Sequence, residues 1–214
     1  MAVRIVVFDL DGTLVDSSLD LATAVNAALA TFAPGVSPLA PDVVRSFIGS
    51  GARKLIQHSV DAAGLSLPPE DVLPAFLEAY RGCLLHTTRL YPGVEDALEA
   101  LAPRSFSVLT NKPGDLSRTL LEGLGVAHRF RRVYGGGDLP QRKPDPAGLL
   151  RILEEAGVAA SEAAMVGDSD IDVLTGRAAG VLTVGVSYGF DPDSLRTTPP
   201  DLMVDDLRQL APRL

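Results

Sequence analysis

Residues 6–14 read VVFDLDGTL, and this stretch is the most informative part of the sequence about the type of sheet. The apolar run that leads into it, residues 3–8, is short and rich in β-branched side chains, a pattern typical of a buried strand in a parallel sheet. Two aspartates, Asp9 and Asp11, follow the run directly. Open α/β sheets bind their ligands at the carboxyl ends of the strands. The pattern therefore predicts a site where the first strand ends.

The chemistry of this stretch has two possible explanations. Carboxylates at close range repel each other, and a divalent cation relieves that repulsion, so Asp9 and Asp11 favour a metal site. Gly12 permits a tight turn and a close approach of the backbone to an anion. A simple Asp-Gly turn after a strand would also account for the fragment. The fragment alone does not decide between a site and a turn.

Composition bounds the class of protein. The chain has 214 residues, of which 46% are hydrophobic, so we expect a large core with or without an inserted module. A net charge of -8 argues against nucleic acid or an anionic membrane as a partner. No apolar run approaches the roughly 18 residues of a membrane span, and no secretory signal is evident. The single cysteine, Cys83, suits a reducing compartment, so we expect a cytoplasmic protein with a buried thiol.

The order of predicted elements indicates two domains. From Ser17 and Ser18, a plausible helix cap, to about residue 88 the pattern is helical, with helices predicted at residues 42–48, 52–63 and 70–85. Strand and helix patterns then alternate. The further strands are predicted at residues 106–109, 132–134, 163–166, 181–186 and 202–204. This order predicts an α/β fold: a Rossmann-like, doubly wound parallel sheet core with an inserted α-helical cap domain. The predicted boundaries are 1–16 and 89–214 for the core and 17–88 for the cap.

Polar groups follow several of the apolar strands, and in a parallel sheet such strand ends converge on one edge. The residues concerned are Asp9, Asp11, Thr110, Asn111, Lys143, Asp168 and Asp172. The acids suit a cation, while a hydroxyl and an ammonium suit an anion, as a Mg²⁺-assisted phosphoryl transfer site requires. Each residue alone has an ordinary explanation: Thr110 could cap a turn, Lys143 could be an exposed lysine, and Asp168 could cap a helix.

Four motifs taken together resemble those of the haloacid dehalogenase-like phosphohydrolases. They are FDLDGTLVDS, TNKP, RKPDP and GDSDID, in that order along nearly the whole chain. The resemblance implies that Asp9 is a nucleophile that forms an aspartyl-phosphate, and that Asp11 is the general acid and base. It further implies that Mg²⁺ is held by the Asp9 and Asp168 carboxylates and the Asp11 backbone carbonyl.

The same resemblance assigns the surrounding groups. Asp172 and Ser169 would support the metal ligands from behind. The phosphoryl oxygens would be bound by Thr110, Asn111, Lys143 and the backbone near Gly12.

The predicted cap carries one informative stretch, Gly49, Ser50, Gly51 and Arg53. It could be a glycine-rich turn with solvated basic residues, or it could offer amides and a cation to an anion. The stretch resembles that of bacterial phosphoglycolate phosphatases, which implies a small phosphorylated metabolite, 2-phosphoglycolate, as substrate. We then expect Arg53 or the amides of residues 49–51 to contact the substrate carboxylate.

Several alternatives remain at this stage. Pyrophosphatases, sugar-phosphate phosphatases and phosphomutases share the core motifs, and a non-catalytic binding module could keep the fold. A haloacid dehalogenase is disfavoured because Asp11 has no role in that chemistry. The histidines lack metal-ligand spacing, so zinc is not expected. The sequence is compatible with either a monomer or a homodimer.

Overall fold

The computed structural model of the protein describes residues 2–214. Strands and helices alternate in it, except in one segment that contains only helices. The strands are β1 (Ile5–Phe8), β2 (Val15–Asp16), β3 (Arg89–Leu90), β4 (Ser105–Pro113), β5 (Arg132–Gly136), β6 (Ala163–Gly167), β7 (Leu182–Val186) and β8 (Leu202–Val204). The helices are α1 (Ser18–Phe32), α2 (Pro41–Arg45), α3 (Ala52–Ala62), α4 (Pro69–Cys83), α5 (Val94–Ala100), α6 (Gly114–Gly123), α7 (Ala147–Ala156), α8 (Asp170–Ala179) and α9 (Ser194–Thr197).

Six of the strands form one parallel sheet in the order β5-β4-β1-β6-β7-β8. The first strand is central, and its four residues are fully buried. Val6 and Phe8 belong to one hydrophobic cluster, whereas Ile5 and Val7 belong to a second. Because side chains alternate along a strand, the two clusters lie on opposite faces of the sheet. The predicted doubly wound α/β core is confirmed.

The helical cap enters the core between β2 and β3. Helices α1 to α4 occupy this insert. The two short strands pair antiparallel, with Val15 opposite Leu90 and Asp16 opposite Arg89, so the entry and exit of the insert lie side by side. This ribbon was not predicted, because two residues are too few to show an alternating pattern. The boundaries at residues 17 and 88 stay a prediction.

The predicted elements are present, with ends shifted by up to four residues. The largest shift is in β4, which was expected to end at Leu109 and continues to Pro113. The polar sequence of residues 110–113 is typical of a loop, yet it pairs with β5 after a register shift between Leu109 and Pro113. No helix among residues 2–214 has the length and apolar character that a membrane crossing requires.

Asp20 ties the two ends of the insert together. Its carboxylate is only 2% exposed and accepts hydrogen bonds from the amides and hydroxyls of Thr87 and Thr88, at 2.6 to 3.0 Å. Burial alone would raise the pKa of Asp20, but these hydrogen bonds outweigh it and lower the pKa below its ordinary value. The thiol of Cys83, buried as expected, donates to the Asp20 carbonyl oxygen at 3.4 Å.

We expect Asp20→Asn to lower the free energy of unfolding at pH 7 by roughly 1–3 kcal/mol, because an amide cannot accept at both positions. The pKa of Asp20 is lower in the folded state, so its contribution is present above about pH 4 and is lost as the pH falls through the folded value. The difference between the two proteins should therefore shrink at pH 3. Denaturant titration at both pH values measures it.

The matched control for this change is Asp61→Asn, which alters an exposed aspartate in α3. It should change stability by less than about 0.5 kcal/mol. If Asp20→Asn were as stable as the unaltered protein at pH 7, the proposed contribution of Asp20 would be refuted.

Candidate active site

The carboxyl ends of β1, β4 and β6 bring the predicted core residues to one edge of the sheet. Asp9 follows β1, Thr110 lies near the end of β4, and Asp168 follows β6. Lys143 reaches the same place from the loop between β5 and α7. All four of these residues are buried, although each carries a polar or charged side chain. The explanation of Lys143 as an ordinary exposed lysine is therefore wrong.

The loop after β1 is held in a tight turn. The amides of Leu14 and Val15 donate to the Leu10 carbonyl at 2.9 and 3.0 Å, and the amide of Gly12 donates to the Val15 carbonyl at 2.9 Å. Gly12 has a φ of +83°, which favours glycine. A Cβ atom at this position would lie 2.1 Å from Asp168 Oδ2. The loop therefore needs glycine both for its conformation and for its approach to Asp168.

Three buried acids form a cluster that fits a divalent cation. Asp9, Asp168 and Asp172 each offer a carboxylate oxygen, and these atoms lie within 4.8 Å of one another. Oxygen donors of this kind are the ligands that hard divalent cations prefer. Burial, with repulsion from Asp172, raises the pKa of Asp9 to about 6, and burial with both neighbouring acids raises the pKa of Asp168 well above its ordinary value. A bound cation would offset the repulsion among the three carboxylates and favour their ionised form.

The three acids differ in how much of their bonding capacity is already used. Asp172 has both oxygens engaged, one by Lys143 and the other by the amide and hydroxyl of Ser169. Asp168 accepts from the Phe190 amide at 2.6 Å through Oδ2, and its Oδ1 has only a long hydrogen bond of 3.4 Å from the Thr13 hydroxyl. The Oδ1 atom of Asp9 is buried and accepts no hydrogen bond, although the Lys143 ammonium lies 2.8 Å away as an ion pair. Asp9 and Asp168 are therefore the better placed of the three to receive a cation, and Asp172 is placed to hold its neighbours.

Lys143 links the acids. Its Nζ lies 2.6 Å from Asp172 Oδ1, as a hydrogen bond, and 2.8 Å from Asp9 Oδ1, as an ion pair. Burial alone would lower the pKa of Lys143, but attraction to Asp172 and Asp9 outweighs it and raises the pKa. Lys143 therefore stays cationic beside Asp9.

Asn111 connects the insert to the core. Its side-chain amide donates to the carbonyl of Gly49, in the insert, and to the carbonyl of Lys143, in the core, both at 3.1 Å. Gly51 also lies close, since a Cβ atom there would be 3.2 Å from the Asn111 carbonyl oxygen. The predicted stretch that begins at Gly49 therefore borders the site.

A small cavity separates the insert from the core. The core contributes Asp9, Asp11, Thr110, Lys112 and Pro113, and the insert contributes Leu21, Ile48, Gly49, Gly51, Ala52, Leu55, Phe76 and Tyr80. Tyr80 supplies the only polar side chain among the insert residues described here that line the cavity. A ligand in this cavity thus meets charge on one side and mostly apolar surface on the other.

Two of the predicted cap residues do not reach this cavity. Arg53 lies on the exposed side of α3, where its guanidinium pairs with Glu70 at 3.3 Å. Ser50 faces a different cleft, which it shares with His58 and Asp170. A residue two positions after a glycine at a helix start can point either way, and here the apolar Leu55 takes the inward face.

Ser17 occupies the N-cap position of α1, as predicted, but its side chain makes no capping hydrogen bond and so does not cap the helix. Its hydroxyl instead donates to Asp11 Oδ1 at 2.6 Å. Ser17 thus helps to hold the second aspartate of the first motif.

Sequence reasoning missed Lys112 and Tyr80. Lys112 Nζ lies 3.0 and 3.2 Å from the two carboxylate oxygens of Asp11 and also donates to the Tyr80 hydroxyl. Lys112 stands inside the TNKP motif, but a lysine in an apparent loop indicates solvent exposure. Tyr80 lies four positions after Phe76 on α4, a spacing that indicates core packing. The Phe190 amide was missed because a backbone donor leaves no mark in the sequence.

The fold and the site together define a hydrolase of phosphoric monoesters that is built on a parallel sheet with an inserted helical cap. The sequence profile described as haloacid dehalogenase-like hydrolase matches residues 6–186. The chain belongs to this family.

Its relatives are similar along nearly the whole chain. A phosphoglycolate phosphatase of Pseudomonas fluorescens is 40% identical over 98% of this chain and 79% of its own length. One of Agrobacterium fabrum is 36% identical over 97% of this chain and 91% of its own length. A crystal structure described as a predicted phosphoglycolate phosphatase from Haemophilus somnus has a TM-score of 0.90 and 32% identity, and covers 99% of this chain and 97% of its own.

We expect Gly12→Ala to weaken binding of a divalent cation by about tenfold or more, because the added methyl group displaces the Asp168 carboxylate. Isothermal titration calorimetry with Mg²⁺ or Mn²⁺ measures the affinity.

Gly35→Ala is the matched control. Gly35 has a similar φ of +91°, but a Cβ atom there meets nothing within 4 Å. It should cost about 1–2 kcal/mol of stability through backbone strain and leave cation affinity unchanged. Equal losses of affinity in both variants would show that strain, and not the contact with Asp168, is responsible.

Proposed function

We propose that the protein is a Mg²⁺-dependent phosphatase that hydrolyses a small phosphate monoester, 2-phosphoglycolate, through an aspartyl-phosphate intermediate. The observation that carries this proposal is the surroundings of Asp9. Its buried carboxylate faces the cavity, has Lys143 Nζ at 2.8 Å, and stands next to Asp11 and Thr110. A carboxylate nucleophile, a proton donor and groups for phosphoryl oxygens thus share one space.

Asp9 would attack phosphorus and take the phosphoryl group, and water would then hydrolyse the aspartyl-phosphate. A carboxylate nucleophile must be ionised, and burial opposes ionisation of the Asp9 carboxyl group. Lys143 supports the ionised form from one side.

Asp11 would protonate the leaving alcohol oxygen and then take a proton from the attacking water. Its carboxylate lines the cavity and is held by the Ser17 hydroxyl and by Lys112. These contacts fix the carboxylate in one orientation, which is what a proton donor to a bound substrate requires.

Mg²⁺ would be held by the carboxylates of Asp9 and Asp168 and the backbone carbonyl of Asp11. When bound, the ion supplies positive charge that offsets the charge of the phosphoryl oxygens. Asp172 and Ser169 would support this set without binding the ion, since the Ser169 hydroxyl donates to Asp172 and Asp172 in turn accepts from Lys143.

The phosphoryl oxygens would be bound by Thr110 and Lys143, with backbone amides near Gly12 and Asn111. Thr110 is buried and lines the cavity. The Asn111 side chain is already committed to two carbonyl oxygens, so its contribution would come from its backbone and from positioning the loops.

The cavity favours a small leaving group. The insert residues that line it are mostly apolar or glycine, so they offer few partners for the hydroxyls of a sugar. The named relatives act on phosphoglycolate, and the chain covers most of their length. We therefore place 2-phosphoglycolate before sugar phosphates and pyrophosphate. Under this proposal residues 17–88 act as the cap that shields the reaction from water.

We expect Asp9→Asn to reduce turnover of 2-phosphoglycolate by roughly a thousandfold or more, because an amide cannot form the covalent intermediate. Phosphate release with and without Mg²⁺ measures turnover, and circular dichroism checks the fold. Asp170→Asn is the control, since Asp170 is close in sequence to Asp168 but outside the cluster described above. Turnover by Asp9→Asn above a tenth of the original rate would refute the nucleophile, and release independent of Mg²⁺ would refute the metal requirement.

A further inference from the structure

The sequence contains three lysines, and two of them are buried at the site. Lys143 is engaged by Asp9 and Asp172 at the nucleophile. Lys54 is exposed on α3. Lys112 remains, and the reaction proposed above uses it only to hold the Asp11 carboxylate. A buried ammonium is costly, so its presence in the cavity calls for a function.

Lys112 is the only basic residue lining the cavity in the described part of the chain. Its Nζ contacts both carboxylate oxygens of Asp11 and the hydroxyl of Tyr80, and it lies 4.4 Å from the centre of the Tyr80 ring. Burial alone would lower the pKa of Lys112, but Asp11 and Tyr80 outweigh it and raise the pKa. Lys112 is thus a fixed cation on the wall of the cavity.

The position of Asp11 decides which part of a substrate meets this cation. A general acid must come within about 2.6–3.2 Å of the oxygen that it protonates. The ester oxygen of a bound substrate therefore lies beside Asp11, and the atoms one or two bonds further along the leaving group lie beside Lys112. An anionic group there would be repelled by Asp11 unless a cation paired with it.

We propose that Lys112 selects the leaving group by binding a carboxylate attached to the carbon that bears the phosphate ester. This inference rests on the proposed phosphatase function and names the residue that sets its substrate class, phosphorylated 2-hydroxy acids. Tyr80 positions the ammonium from the insert side. The start of α3 supports the same choice, since Gly51 and Ala52 border the cavity and the amino end of a helix favours an anion.

This assignment replaces the role expected for Arg53. Arg53 pairs with Glu70 at 3.3 Å on the exposed side of α3, and more than half of its side chain is exposed. Lys112 has the charge, the burial and the place in the cavity that Arg53 lacks.

The test compares two substrates of similar size, 2-phosphoglycolate and 2-hydroxyethyl phosphate, in which an uncharged hydroxymethyl group replaces the carboxylate. Lys112→Met keeps most of the length of the side chain and removes its charge. We expect the ratio of kcat/KM for the two substrates to fall about 10- to 100-fold, as for the loss of one charge-assisted hydrogen bond. Using the ratio cancels any effect on Asp11 that is common to both substrates. Lys54→Met, which removes the exposed lysine, should leave the ratio unchanged.

A binding measurement separates this inference from the proposed reaction. In the Asp9→Asn background, Lys112→Met should weaken calorimetric binding of 2-phosphoglycolate at least tenfold and that of 2-hydroxyethyl phosphate less than threefold. Equal losses for both ligands would overturn the inference, even where the unaltered protein hydrolyses 2-phosphoglycolate. Hydrolysis of neither substrate, with selective binding retained, would refute the phosphatase and leave the carboxylate site standing.

A second variant keeps the inference testable if Lys112→Met does not fold. Tyr80→Phe removes the hydroxyl that positions Lys112 and changes no group that bonds directly to Asp11. It should lower the same kcat/KM ratio at least threefold, mainly through KM for 2-phosphoglycolate. An unchanged ratio in a folded Tyr80→Phe protein would overturn the inference.

Discussion

Several carboxylates are buried together at one edge of the sheet, where their mutual repulsion must be balanced by neighbouring groups. Asp9, Asp168 and Asp172 are almost completely buried within a few ångströms of one another, and Lys143 joins two of them. Leaving one buried charge without its partner costs roughly 3–5 kcal/mol. The surrounding backbone is fitted to this cluster, since glycines approach Asp168 from two sides where a Cβ atom would lie 2.1 Å away. The strands thus fix where Asp9 and Asp168 lie, and the ion pairs of Lys143 offset part of their charge.

The insert is joined to this charged edge by few but specific contacts. Asn111 donates to a carbonyl on each side, and Lys112 contacts Asp11 and Tyr80 together. Arg45 of α2 donates to the carbonyl of Gly189 at 2.7 Å. The backbone amide of Phe190, which follows Gly189, donates to Asp168. The helices of the insert therefore connect to the acids through side chains that are themselves next to the site.

The sequence predicts the core of this protein well because its strands are short, apolar and followed by the residues that matter. The position of Asp9 after β1 follows from that pattern, and so does that of Asp168 after β6. The insert is harder, because a helical pattern shows which face is apolar but not what the polar residues at its ends will meet. Arg53 was expected at the site and lies outside it, whereas Tyr80, which no sequence pattern singles out, contacts Lys112. Ser17 shows the same limit, since its hydroxyl could serve a helix or an aspartate and only the folded loop decides.

The ribbon of β2 and β3, with Asp20 beside it, also bears on how such a fold can diversify. The chain leaves the core and returns to it at neighbouring points, fastened by two paired residues on each strand and by one carboxylate. The seventy or so residues in between therefore form one connection between two fixed points of the core, and its ends are held by this pairing and not by the helices inside it. A different set of helices could be spliced in at this junction with the catalytic edge undisturbed, so substrate choice and chemistry could evolve as separable modules.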